Sequence, residues 1–192
     1  EEGGKLNRDF TEITGKDGLV SPTERDAFDL QRYEVTDDGA SYFDVDKRRK
    51  FIRARGTPNM QAQAEQLSLS QSCADAMNMP VMAHEIQLPG FYPQPRRWRQ
   101  AAQPFFAFED AVTHLAGRWV VTGNRRPAEC LTRMLTKWAE KDGFMTFSFT
   151  QATPQAWFAI ESSLFAAGLA YSTIHAFAER EMPDKAETVE AW

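Results

Sequence analysis

Residues 130–144, CLTRMLTKWAEKDGF, constrain the fold more than any other stretch of this chain. Apolar side chains fall at Cys130, Leu131, Met134, Leu135, Trp138 and Ala139. That is the i, i+1, i+4, i+5, i+8, i+9 spacing of a helix with one buried face, and Gly143 stands where such a helix stops. A one-sided helix requires partners, and its neighbours have the same character. Pro104 opens a predicted helix from Phe105 to about Val121, with Phe105, Phe108, Val112, Leu115 and Trp119 on one side, and Thr122-Gly123-Asn124 breaks it. Pro127 opens the quoted stretch, a loop around DGFMTFSFTQ follows, and Thr153-Pro154 caps a long helix to about Phe177. Pro183 ends that section and DKAETVEAW begins another helix. Helix, short break and helix in regular alternation predict an all-α fold, a bundle or an α/α array.

Upstream the texture is less regular. Residues 1–20 are Gly- and charge-rich, and Ser21-Pro22-Thr23-Glu24 is a capping box opening a short helix to about Tyr33. A basic run, Lys47, Arg48, Arg49, Lys50, Arg53 and Arg55, precedes a Gln- and Ala-rich helix expected from Thr57-Pro58 to about Asn78. Residues 88–100, LPGFYPQPRRWRQ, hold three prolines and one glycine and are expected to form a loop. The break after residue 88 suggests a boundary between an N-terminal extension, 1–88, and a helical body, 89–192.

The totals exclude several classes. With 22 basic and 27 acidic residues the net charge is −5, which gives no global case for nucleic acid as a partner. The least polar run, Gly143–Ala178, has Glu161 as its only charge, but Ser162, Ser163, Ser172, Thr173 and His175 interrupt its second half. It reads as a buried helix, not a membrane span, which needs about 20 predominantly apolar residues. The only cysteines, Cys73 and Cys130, have no C-x-x-C spacing and no histidine pair at ligand distance, so no metal site and no cofactor are expected. They form one disulfide or remain two thiols, and composition does not choose. The chain opens Glu1-Glu2-Gly3-Gly4 without a charged-then-apolar segment, so any targeting peptide is expected to lie outside this sequence.

TGNRRPAECLTRMLTKWAEKDGF, followed by TQATPQAWFAIESSLFAAGLAYSTI, resembles the alginate lyase family of polysaccharide lyases (family five and its relatives) over about residues 89–192. The shared features are a Cys-Leu and Trp-Ala helix, a turn with Gln and Trp, and a helix ending in Ala-Tyr. The resemblance implies a partial (α/α) toroid-like helical array with a cleft for an acidic polysaccharide. It also implies β-elimination at a uronate: a base takes the C5 proton, an acid protonates the leaving oxygen, and donors neutralise the carboxylate on which charge develops. The family's Asn-His pair, and the Arg and Tyr after it, lie C-terminal to the Ala-Tyr helix. Asn-His does not occur here, so catalytic residues stay unassigned. Because relatives are exported, Cys73 and Cys130 are expected to lie close enough to pair, and the location to be periplasmic or secreted.

By the same resemblance, residues 88–99 correspond to a mobile lid, where Tyr92, Arg96, Arg97 and Arg99 meet a polyuronate, guanidinium forks matching carboxylates. The plainer alternative is a stiff surface loop with solvated arginines. Gln151, Gln155 and Trp157 fall where relatives line sugar subsites, with Trp157 as a core anchor the competing assignment. His114 and His175, each among apolar neighbours, read as structural histidines. The basic run reads as a solvated helix face or a docking surface for an acidic partner. A second functional reading is a helical scaffold without chemistry. The apolar length of 144–178 predicts packing against another polypeptide through helices 154–177 and 184–192. Phe108, Leu115, Trp119, Leu131, Leu135, Trp138, Ile160, Leu164 and Leu169 are expected to be buried.

Overall fold

The computed structural model describes residues 41–69, 73–84, 86–145 and 154–192. The chain divides into two compact units, Glu1–Asp38 and Gly39–Trp192, and every described residue belongs to the second. The expected helix at 21–33 and the loop residues 146–153, Gln151 among them, lie outside the described residues. The proline-rich stretch after residue 88, where the sequence suggested a boundary, falls inside the second unit.

Among the described residues every regular element is a helix, and the helices pack as a toroid-like array. They are α1 Val45–Arg55, α2 Pro58–Leu69, α3 Cys73–Asn78, α4 Pro95–Thr122, α5 Arg125–Ala139, α6 Pro154–Ser172, α7 His175–Glu181 and α8 Pro183–Ala191. The single helix expected over 58–78 is two, α2 and α3, and the long one expected over 154–177 is broken at Thr173-Ile174. At that break the Thr173 carbonyl accepts from the Trp119 indole N–H at 2.8 Å.

The largest correction concerns α4, which begins at Pro95 and not at Phe105, so Pro104 lies inside it. Proline cannot donate to the carbonyl four residues back. Pro104 and Gln100 are both exposed, so the missing bond lies on the solvent side of the helix. Meanwhile Ala102, Phe105, Phe108, Val112 and Leu115 keep one buried register through the proline. Residues 95–100 are therefore helix, not loop. The helix ends as its sequence indicates: Gly123 takes a left-handed φ of 69° and its N–H donates to Trp119 O. Asn124 then caps α5, its side chain accepting from Arg126 N at 3.0 Å.

The α5 stripe is buried as expected, at Cys130, Leu131, Met134, Leu135, Trp138 and Ala139. The buried face also takes in Thr132 and Thr136, whose hydroxyls donate to Ala128 O and Thr132 O, each one turn back. Trp138 meets Phe108 with ring centroids 4.3 Å apart and Phe144 at 4.7 Å, and Phe105 stacks on Phe144 at 5.6 Å. Gly143 serves this cluster: a Cβ there would lie 2.6 Å from Trp138 Cε3. Phe144 follows at φ 64°, a conformation bulky residues rarely adopt, and its N–H donates to Met82 O at 2.9 Å.

Residues 73–88 are tied to α5 in two further ways. Cys73 and Cys130 form a disulfide, Cα–Cα 5.7 Å, as their expected proximity required. The Lys137 ammonium donates to Met77 O at 2.8 Å and Met79 O at 2.7 Å, closing the end of α3. Burial, and secondarily the nearby Lys141, push the Lys137 pKa down from its ordinary value. Of the side chains expected in the core, Phe108, Leu115, Leu131, Leu135, Trp138 and Ile160 are buried. Trp119 and Leu164 are half-buried. Leu169 is not buried: it is 37% exposed, on a face of α6 shared with Phe158 and Phe165.

Candidate functional site

Two hydrogen bonds fix how α4 and α6 lie together. Ser163 Oγ donates to Glu109 Oε1 at 2.9 Å and Trp119 Nε1 to Thr173 O, both across 54 residues of sequence. A constant offset means that the two helices run in the same direction. Their N-terminal turns therefore lie at one end of the molecule, and the offset sets Gln155 and Trp157 level with Ala101 and Gln103 of α4.

That end gathers most of the side chains singled out from the sequence. Arg96, Arg97 and Arg99 project from the first turns of α4 and are exposed. Arg97 donates to Gln94 Oε1 at 3.1 Å, and none of the three is ion-paired with a described residue. No acidic side chain occupies the first turn of α4, or of α6. A helix start carries positive partial charge, so cations there are unfavourable by about 0.3–1 kcal/mol each. Dipole and guanidinium groups thus add to one positive field, despite the net charge of −5.

An aromatic chain sits beside them. Tyr92, 89% exposed in the turn before α4, meets Phe91 edge-on at 5.3 Å, and Phe91 meets Trp98 at 4.9 Å. Trp98 also meets Phe106 at 5.8 Å, which keeps Trp98 inward and the arginines outward. A concavity of about 360 Å³ is bounded by Gln94, Pro95, Arg96 and Arg97. A larger one, about 460 Å³, lies between residues 80–88 and the α4 turn Ala101–Phe105, with His84 and Gln87 as its polar lining. Gln155 is half-buried and Trp157 is 40% exposed.

Other expectations resolve differently. Arg49, from the basic run, donates to Val120 O at 2.9 Å and Trp119 O at 3.1 Å, and Arg53 donates to Thr122 O at 2.7 Å. These two arginines close the C-terminal turn of α4, where a helix favours positive charge; Arg49 is half-buried, while Arg53 and the rest of the run, Lys47, Arg48, Lys50 and Arg55, are exposed. His114 is half-buried within α4. His175 has company that sequence spacing did not show. Its Nε2 lies 3.5 Å from Glu179 Oε1 and 3.3 Å from Glu190 Oε1, and Tyr171 O–H donates to Glu190 Oε1 at 2.8 Å. Burial, and then the hydrogen bond to Glu190, push the Tyr171 phenol above its ordinary range. The His-x-x-x-Glu spacing was a usable signal, but Glu190 arrives from another helix. Among the described residues no helix is long and apolar enough to cross a membrane.

No family model matches the chain, and no curated protein matches it. Solved structures do. A histidine-to-alanine variant of alginate lyase A1-III complexed with tetrasaccharide aligns with TM-score 0.69 and 25% identity, over 86% of this chain and 47% of that one. A tyrosine-to-phenylalanine variant, also complexed with tetrasaccharide, aligns with TM-score 0.69 and 26% identity, over 85% and 46%. Alginate lyase A1-III from Sphingomonas species A1 aligns with TM-score 0.64 and 24% identity, over 85% and 46%. The resemblance suggested by the sequence is thus borne out in three dimensions: the chain shares the all-helical fold of alginate lyase A1-III and spans about half of that protein's length.

Proposed function

We propose that this chain binds an acidic polysaccharide of the polyuronate class at the shared N-terminal end of α4 and α6. Completed by a further segment or a partner, it forms part of a lyase that cleaves such a polymer by β-elimination. The observation that carries this reading is the set Arg96, Arg97 and Arg99, placed where helix electrostatics disfavours them and unpaired with any described residue. An anionic chain reverses the sign of that interaction, and each planar fork matches one carboxylate. Tyr92, Gln155 and Trp157 supply a phenol, an amide and an indole face for sugar hydroxyls and rings, with Gln151 the further member of this set. Neutralising a uronate carboxylate is the same act that lowers the barrier to C5 proton loss, so binding and chemistry draw on the same groups. The Cys73–Cys130 disulfide supports an oxidising location, periplasmic or secreted.

The test is calorimetric titration of the purified chain with oligouronates, beside a triple variant Arg96→Gln, Arg97→Gln, Arg99→Gln. The expected result is binding that weakens with salt and falls at least about tenfold in the variant, equivalent to about 1.4 kcal/mol. Equal binding by both proteins, or by neither, overturns the assignment.

A second reading, a helical interaction subunit, draws on a different observation. Phe158 and Phe165 on α6 are 64% and 69% exposed, and with Leu169 and Tyr42 they leave an apolar strip in water. Such a strip suits the packing of another polypeptide against α6, with α8 as the second expected contact.

A further inference from the structure

His175 opens α7, Glu179 stands one turn further along it, and Glu190 reaches the same point from α8. Their potential ligand atoms all lie within 4.8 Å of one another. Neither carboxylate is paired with a lysine or arginine among the described residues, so two negative charges converge on one imidazole. The distances carry further than the composition. In a tetrahedral site with metal–ligand bonds of about 2.0–2.1 Å, neighbouring ligand atoms are about 3.3–3.4 Å apart. His175 Nε2 is 3.3 Å from one carboxylate oxygen and 3.5 Å from the other, so two edges of the tetrahedron already exist. The glutamate side chains are 48% and 44% exposed and can close the third edge by rotation alone. An outer partner is in place as well: the Tyr171 hydroxyl holds Glu190 Oε1 at 2.8 Å, the kind of support that orients a ligating carboxylate.

We propose that His175, Glu179 and Glu190 form a three-ligand site for a divalent transition-metal cation, with water as the fourth ligand. One nitrogen and two oxygens at tetrahedral spacing suit zinc. They do not suit calcium, which takes six to eight oxygens, or magnesium, which demands an octahedron of them. The bound ion clasps α7 and α8 to the last turn of α6 and is independent of the polysaccharide reading.

The experiment strips the chain with chelator and titrates it with zinc chloride by calorimetry, with cobalt(II) as a spectroscopic probe of geometry. One equivalent of zinc is expected to bind, with cobalt d–d bands of the intensity a tetrahedral site gives. His175→Ala and Glu190→Gln should each weaken zinc at least about tenfold, and Tyr171→Phe by about tenfold or more through loss of the orienting hydrogen bond. His84→Ala, at an exposed histidine elsewhere, should bind as the parent does. Helix content by circular dichroism shows each variant folded, and Glu190→Gln, equal in shape, guards against a folding artefact. Absence of binding by the parent overturns the proposal. So does zinc affinity unchanged in folded Glu190→Gln, or loss of zinc in His84→Ala.

Discussion

At the scale of single residues, the most instructive contrast is between arginines at the two ends of α4. Arg49 and Arg53 meet bare carbonyls where the helix field welcomes them, whereas Arg96, Arg97 and Arg99 crowd the end that repels them. The first pair was not legible in the sequence, because the carbonyls they close are about seventy positions away and no local pattern announces them. Replacing Arg49 by Met should destabilise the fold by about 1.5–3 kcal/mol, the range for charge-assisted hydrogen bonds, read as a lower urea midpoint at unchanged slope. Gly123 presses on the same guanidinium. Its φ is 69°, and a Cβ would lie 3.1 Å from Arg49 Cζ. Gly123→Ala should therefore lose about 1–2 kcal/mol from the left-handed conformation alone, and slightly less where Arg49 is already Met.

At the scale of elements, hydrophobic periodicity located α5 and most of α4, because a buried stripe repeats whatever the partner is. It failed where a single residue normally overrides the pattern. Pro104 looked like a helix start, yet the apolar register runs on through it from Ala102 to Leu115 because the proline faces water. The candidate site was legible as residue types, and its arrangement was not: that Gln155 and Trp157 share an end with the arginines follows only from the parallel course of α6 and α4. Charge reversal in the first turns of α4 separates stability from binding. Arg96→Glu with Arg99→Glu should raise the melting temperature, since each exchange removes an unfavourable dipole interaction of about 0.3–1 kcal/mol and adds a favourable one. The same exchange should abolish polyuronate binding. Lys137 gives a second test. Its folded pKa is depressed below the ordinary 10.5, so near the top of its titration the unfolded chain holds more protons than the folded one. Stability contributed through this group should rise as pH climbs towards 10.5, and Lys137→Met should remove that slope while weakening the end of α3.

At the scale of the whole molecule, the aromatic centre formed by Phe105, Phe108, Trp138 and Phe144 and the disulfide hold one unit together from Met82, whose carbonyl accepts from Phe144 N, to Trp192, whose indole N–H donates to Gly143 O at 3.0 Å. The Cys73–Cys130 bridge spans 57 residues, a loop worth about 4 kcal/mol in the chain-entropy model, and reduction should lower the melting temperature accordingly. The exposed residues Ala83, His84 and Gln87 and the exposed turn at Phe91, Tyr92 and Pro93 lie inside that closed loop. A protease that nicks the backbone there does not release a fragment: the two pieces should migrate as one band on a gel until thiol is added, and then as two.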